Sequence, residues 1–353
     1  MTKITSKRLL ELDSLRGIAA VFVVLFHLTM FKPQGKYFFN LGLTGVELFF
    51  MISGFVILMT LEKVKNSKEF IVSRLIRLYP TYWTCVTITA IFMVMHSHGV
   101  SINFLVMYFA NLTMFHNYFF QQHLDPAYWT MIIEMLFYIF MLAIYRQGYL
   151  KEIELIGMIL LLPLFIYATI LSYQFPILNT RLIRFAGLVN FFPLFFSGIL
   201  YYKLKYDSAS IYRAIMLICS FIVQITLFHT IEGRFGFISL FEYAIMVTLY
   251  NAVFLLYTFD KLNFIVNRVT VFLGNISYPL YLIHQYISVI FILPFLMKYL
   301  NFWFACMIDL TIVIGIAYLI NIFVEKPTMK YARQRWLKKP SNDFNTLEAV
   351  VTI

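Results

Sequence analysis

Apolar runs of about 20 residues recur from one end of the chain to the other, separated by short polar connections. A helix needs about 20 apolar residues to cross a hydrocarbon core of about 30 Å. No run alternates with the period of two that a half-buried strand would show, and the runs are too long and too apolar for a barrel. In lipid that leaves helices, which satisfy their own backbone. The pattern predicts ten spans, near 14–31, 43–61, 81–98, 129–145, 153–172, 186–203, 211–230, 239–259, 275–297 and 303–324. The run Ile102 to Phe115 has only 14 residues and is expected to be interfacial or re-entrant. The expected fold is an all-α integral membrane bundle of about ten transmembrane helices. It forms a single domain over 1–340, followed by a short cytoplasmic tail at 341–353.

Charge orients these runs. With a cytoplasmic N-terminus, six of the 28 lysines and arginines fall outside: Lys32, Lys36, Arg181, Arg184, Arg234 and Lys298. The remainder lie in inside connections and the tail, as the positive-inside rule requires. Both termini are therefore expected in the cytoplasm, with the protein in the plasma membrane (the bacterial inner membrane). Counting 102–115 as a span would carry the basic tail outside. Composition agrees, with 61% apolar and 13% charged residues, against about a quarter charged in soluble domains. The net charge of +11 then belongs to membrane-flanking loops, so no nucleic-acid partner is expected. The first run contains Arg16 and His27 and lacks a small-residue cleavage site, so it reads as a retained span.

Ionisable groups inside spans are costly and mark function. In LDSLRGIAAVFVVLFHL, Arg16 and His27 have ten residues between them, which places them on one helix face about 16 Å apart. GVELFFMISGF carries Glu47 and Ser53, with Gly45 and Gly54 suited to close helix approach. FIVSRLIRLYPTYW reads as a loop that ends at Pro80, with Arg74 and Arg77 on one face; taken alone it fits an ordinary positive-inside loop, and the sharper reading is an anion clamp, since guanidinium groups at this spacing suit a phosphate. YWTMIIEMLFY sets Trp129 at the outer boundary and Glu134 one turn above Tyr138. GNISYPLYLIH aligns Ser277, Tyr281 and His284 in one stripe. Cys85, Cys219 and Cys306 lack metal-ligand spacing and read as buried hydrophobes, so no metal is expected. His96, His98, His116 and His123 fall in or near the long outer connection, read as a solvated loop where acceptor contacts are expected.

In their order and wording, LDSLRG with Arg16 and His27, GVELFFMISGF, RLIRLYP, YWTMIIEMLFY and SYPLYLIH resemble the acyltransferase 3 family of membrane acyltransferases. That family includes O-acetyltransferases of O-antigen and other surface polysaccharides. The resemblance is close over 11–138 and again over 274–284. It implies transfer of an acyl group, most often acetyl, from cytoplasmic acyl-CoA to a hydroxyl of an extracytoplasmic or lipid-linked saccharide. Some family members relay the group to a fused outer domain; here a single membrane domain is expected to complete the transfer.

The residues fit that chemistry. Arg16, Arg74 and Arg77 would hold the polyanionic end of CoA, and His27 would act as general base, oriented by Glu134. Glu47, Ser53, Trp129, Tyr138, Ser277, Tyr281 and His284 would line the tunnel or the substrate site. A transporter or flippase of a glycan or small molecule is the rival reading of polar groups at mid-membrane. It differs in needing no acyl-CoA, and inverted repeats are not visible in the sequence.

Overall fold

The computed structural model describes residues 9–30, 32–35, 38–97, 99–231 and 236–336. The expected tail at 341–353, together with His98, Lys36 and Arg234, lies outside the described residues. Fifteen α-helices follow in chain order. They are α1 (Leu10–Thr29), α2 (Gly45–Lys63), α3 (Ser67–Ser97), α4 (Ile102–Leu112), α5 (Trp129–Arg146), α6 (Ile153–Ile166), α7 (Ser172–Gln174) and α8 (Pro176–Ala186). Then come α9 (Phe192–Tyr206), α10 (Ile211–Thr226), α11 (Leu240–Thr258), α12 (Arg268–Tyr286), α13 (Leu293–Leu296), α14 (Phe302–Ile320) and α15 (Lys326–Trp336). No strand occurs among the described residues. With short 3-10 and π turns extending some of them, these helices make 10 segments long and apolar enough to cross a membrane. Ile102–Leu112 is a separate short apolar helix, as its length predicts.

Arg74 and Arg77 do not sit in a loop. α3 begins at Ser67, after Asn66 has capped it by accepting from the Glu69 backbone N–H at 2.9 Å, and runs through Pro80 without a break. Proline ends helices in water because it strands a carbonyl. Within a membrane bundle neighbouring groups compensate, so Pro80 does not end the helix here.

Contacts divide the chain into two compact units. The first comprises Met1–Leu28, Val64–Tyr128 and Ile265–Ile353. Its organising contact is α1 against α12. A Cβ added to Gly17 would collide with the backbone at Leu273 and Gly274, and one added to Gly274 would collide with the Asp13 carbonyl. The two backbones therefore touch, which only glycine at both positions permits. α12 is capped by Asn267, which accepts from the Val269 and Thr270 N–H groups at 2.9 and 3.0 Å. A π turn follows α12 at Ile287–Ile292 and another follows α14 at Asn321–Glu325. Such turns are frequent at functional sites.

The second unit comprises Thr29–Lys63 and Trp129–Phe264. Here α2 lies on α9 through Gly54, which abuts the Phe195 carbonyl, and Gly198, which abuts the Met51 carbonyl. Aromatic rings fill the space around this crossing: Phe137 stacks on Phe195 at 4.1 Å, and Phe50 tilts onto Phe195 at 4.8 Å. Buried polar groups pair across helices. Ser197 meets Ser220 at 3.0 Å, and Gln224 donates to the Tyr243 hydroxyl at 2.8 Å. At the helix ends Lys203 pairs with Glu62 at 2.7 Å and Arg213 with Glu154 at 2.5 Å.

Candidate active site

Gly17 and Gly274 mark where α1 and α12 touch. Each is followed, ten residues later, by a histidine, His27 and His284. The helices run the same way from that contact, each advancing about 15 Å, so the two histidines meet. The rings lie 4.8 Å apart, edge to face, with His27 Nδ1 3.1 Å from His284 Nε2. His27 Nδ1 also lies 2.8 Å from the Val23 carbonyl, and His284 Nδ1 lies 2.7 Å from the Tyr281 carbonyl.

These contacts fix the tautomers by assignment from partners. A carbonyl oxygen only accepts, so His284 carries its proton on Nδ1 and turns the Nε2 lone pair toward His27. His27 must then carry its own proton on Nδ1, shared between Val23 and His284. In the neutral pair the lone pair of His27 is left on Nε2. That atom can accept a proton, and His27 is half-buried while His284 is buried.

The same unit holds the three arginines. Arg74 and Arg77 are buried, Arg16 is half-buried, and both Arg16 and Arg74 are near enough to Arg77 to repel its charge, with Asp13 attracting it. Arg77 donates through Nη1 to Glu325, and its guanidinium lies 5.7 Å over the ring of Tyr278. Tyr278 in turn donates its hydroxyl to the Leu78 carbonyl at 3.0 Å, which fixes the ring. Three guanidinium groups against two carboxylates leave one excess positive charge in a largely desolvated place, which favours an anion there.

The remaining α12 residues differ in role. Ser277 returns its proton to the Gly274 carbonyl at 2.8 Å, and Tyr281 donates to the Ala127 carbonyl at 3.3 Å. Asp125 clamps the C-terminal part of α12, accepting from the Tyr286 N–H at 2.8 Å and from the Ala127 N–H at 2.8 Å.

Unit two holds a separate polar group. Glu134 accepts from the Tyr138 hydroxyl through Oε1, and from Ser53 through the same oxygen at 3.4 Å. Glu47 is buried in the first turn of α2, and Trp129 packs on Phe191 at 5.5 Å. The hydrogen bonds that fix the tautomer of His27 come from Val23 and His284.

Three carboxylates were not singled out in the sequence: Asp125, Asp309 and Glu325. Asp309 is buried in α14 and accepts from Ser288 at 2.8 Å. Glu325 did carry a signal, because it is the one acidic residue between Asp309 and Asp343 in a strongly basic stretch. No group of three or more metal-ligating side chains occurs among the described residues.

The connection between α3 and α5 is not simply a solvated loop. His116 is buried, and its Nε2 lies 2.5 Å from His123 Nδ1, while His96 is exposed near the end of α3. Burial, aided at His116 by the neighbouring His123, lowers His116 to about 3 and His123 to about 4. An unfolded segment binds protons from about pH 6.5 downward, whereas the folded pair stays neutral until about pH 4. This contribution is therefore complete above neutrality and is lost as pH falls from 6.5 toward 4. Burial pushes Asp125 up to about 7, a contribution of opposite sign that weakens as pH rises from about 4 to 7. Hydrogen-exchange protection over 113–124, taken relative to the intrinsic rate at each pH, should fall in wild type between pH 7.5 and pH 5. It should fall less in His123→Gln, which removes one of the two histidines and leaves Asp125 in place.

The Acyltransferase domain family profile matches residues 9–324. A protein of Acidianus two-tailed virus named "Putative acetyltransferase ORF330" is 28% identical over 286 residues, covering 78% of this chain and 82% of that protein. No solved structure matches the chain. The profile runs from the residue before α1 into the π turn after α14, stopping one residue short of Glu325 and taking in both histidines and all three arginines, and the chain belongs to the acyltransferase 3 family of multi-pass membrane acyltransferases.

Proposed function

We propose that this protein transfers an acetyl group from cytoplasmic acetyl-CoA to a hydroxyl of an extracytoplasmic or lipid-linked saccharide, in a plasma membrane. The observation that carries this reading is the His27–His284 contact, which leaves a basic lone pair on His27 Nε2 in the unit that also gathers Arg16, Arg74 and Arg77. The viral relative's name supports acetyl as the group transferred.

In the proposed reaction His27 Nε2 takes the acceptor hydroxyl proton as the oxygen attacks the thioester carbonyl. The tetrahedral intermediate collapses, the C–S bond breaks, and the imidazolium returns the proton to the leaving thiolate. His284 stabilises the imidazolium through its Nε2 lone pair, the part a carboxylate plays in hydrolase triads. The arginines bind the phosphates of CoA with directed hydrogen bonds. Glu134, with the Tyr138 and Ser53 hydroxyls on it, is assigned as the one carboxylate of the catalytic set beside His27.

Purified protein in liposomes with radiolabelled acetyl-CoA tests this reading. Wild type should release label to an acceptor or to water. Arg74→Ala/Arg77→Ala should raise KM for acetyl-CoA by on the order of 10- to 100-fold, the worth of one or two charged hydrogen bonds. A folded protein that neither binds nor consumes acetyl-CoA would refute the donor and leave glycan transport to be measured.

A further inference from the structure

Arg77 is not free to meet a ligand with its whole fork. Its described hydrogen bonds both leave from Nη1, to Glu325 Oε1 and, at 3.8 Å, to Met329 Sδ. Glu325 is itself held. Its second oxygen accepts from Asn321 Nδ2 at 2.9 Å, and the same amide donates to the Asn275 carbonyl at 2.9 Å. Asn321 and Glu325 begin and end the π turn that follows α14, so the extra residue of that turn brings both side chains into one network. Asn275 lies next to Gly274, where α12 touches α1. One connected set of contacts thus runs from the helix crossing through Asn321 and Glu325 to one edge of Arg77. The ring of Tyr278 lies against the face of the guanidinium.

A guanidinium is planar and presents five N–H donors in a fixed fork. Fixing Nη1 and one face determines where the other edge, Nε and Nη2, must point. A long side chain held this way gives up its rotamer freedom before the ligand arrives, which is the general route to tighter binding. Arg16 and Arg74 repel Arg77, and the ion pair with Glu325 sets a negative charge against that repulsion, so the three cations can stay together before an anion enters.

We propose that Glu325 is a positioning residue for acyl-donor binding: held by Asn321, it orients Arg77 so that the free edge of the guanidinium meets a phosphate of the donor. This rests on the reading of the arginines as the CoA site. It adds a role for the π turn within the last membrane-length segment, Phe302–Ala332.

The test uses full-length protein in nanodiscs and two donors, acetyl-CoA and acetyl-pantetheine, which lacks the nucleotide phosphates. Wild type should favour acetyl-CoA through KM. Glu325→Gln should raise KM for acetyl-CoA about tenfold, lower kcat much less, and leave KM for acetyl-pantetheine in place. Glu325→Asp should recover part of the loss. Asn321→Ala, which leaves the ion pair but frees the carboxylate, should show the same split more weakly. If Glu325→Gln does not accumulate, the split is read from Glu325→Asp and Asn321→Ala. An equal loss with both donors would mean Glu325 only holds the fold, and an unchanged or lower KM for acetyl-CoA would mean that it does not orient Arg77; either overturns the proposal. A wild type that treats the two donors alike would instead overturn the CoA reading of the arginines.

Discussion

His27→Ala is expected to lower the rate of acyl transfer at saturating acetyl-CoA by about 10²- to 10⁴-fold, the span of a positioned general base, with KM for the donor little changed. The imidazole acts as the hydroxyl proton leaves, so its loss falls on the chemical step, whereas the arginines bind the donor equally before and during reaction and their loss falls on KM. His284→Ala should cost less, because it removes the partner of the imidazolium and leaves the base. In the Ala variant His27 Nδ1–H still has the Val23 carbonyl 2.8 Å away, so the tautomer survives while the ring gains freedom. The measurement is label transfer in liposomes for the two variants beside wild type. A complementary readout is ¹⁵N NMR of the ring nitrogens, where wild type should show His27 protonated at Nδ1 and unprotonated at Nε2. Full activity in a folded His27→Ala protein would remove the histidine from the chemistry.

The second large effect is expected far from the reacting atoms. Gly274→Ala adds one methyl group where the Asp13 carbonyl already sits, closer than any van der Waals contact allows. The obstacle is backbone on the opposite helix, so no rotamer change relieves it and α1 must move away from α12. Overpacking of this kind costs about 1–3 kcal/mol or more. The displacement also separates His27 from His284, whose contact depends on equal ten-residue advances from the crossing. A 1 Å misplacement of catalytic groups costs on the order of 10²-fold in rate. Gly274→Ala should therefore lower both the melting temperature in detergent and the activity of the protein that remains folded. Gly315→Ala on α14 is the control: nothing lies within 4 Å of its added Cβ, and alanine is the better helix former by about 1 kcal/mol. It should melt no lower than wild type.

Legibility differed by element. The ten spans and the exclusion of 102–115 follow from run length alone, because the hydrocarbon core imposes a minimum length that a 14-residue run cannot meet. The start of α3 is not legible in the sequence, where Pro80 reads as its boundary. That reading applies a rule of aqueous helices to a segment whose cap, Asn66, lies well upstream. Nothing in the sequence signals that His116 and His123 pair away from water, because polarity along a chain says nothing about what folds over it.

By itself the sequence determined that the chain crosses a membrane about ten times, that His27, His284, Glu47, Glu134 and three arginines are unusual intramembrane or membrane-edge groups, and, through its motifs, the family. Run length and the cost of charge in lipid are local properties, so a single chain displays them. Only the tertiary structure decided which groups meet. It put His284 on His27 Nδ1, and gave Arg77 an ionic partner 248 residues away in Glu325. Those choices depend on where two backbones can touch, at Gly17 and Gly274, and on the register that follows from that contact.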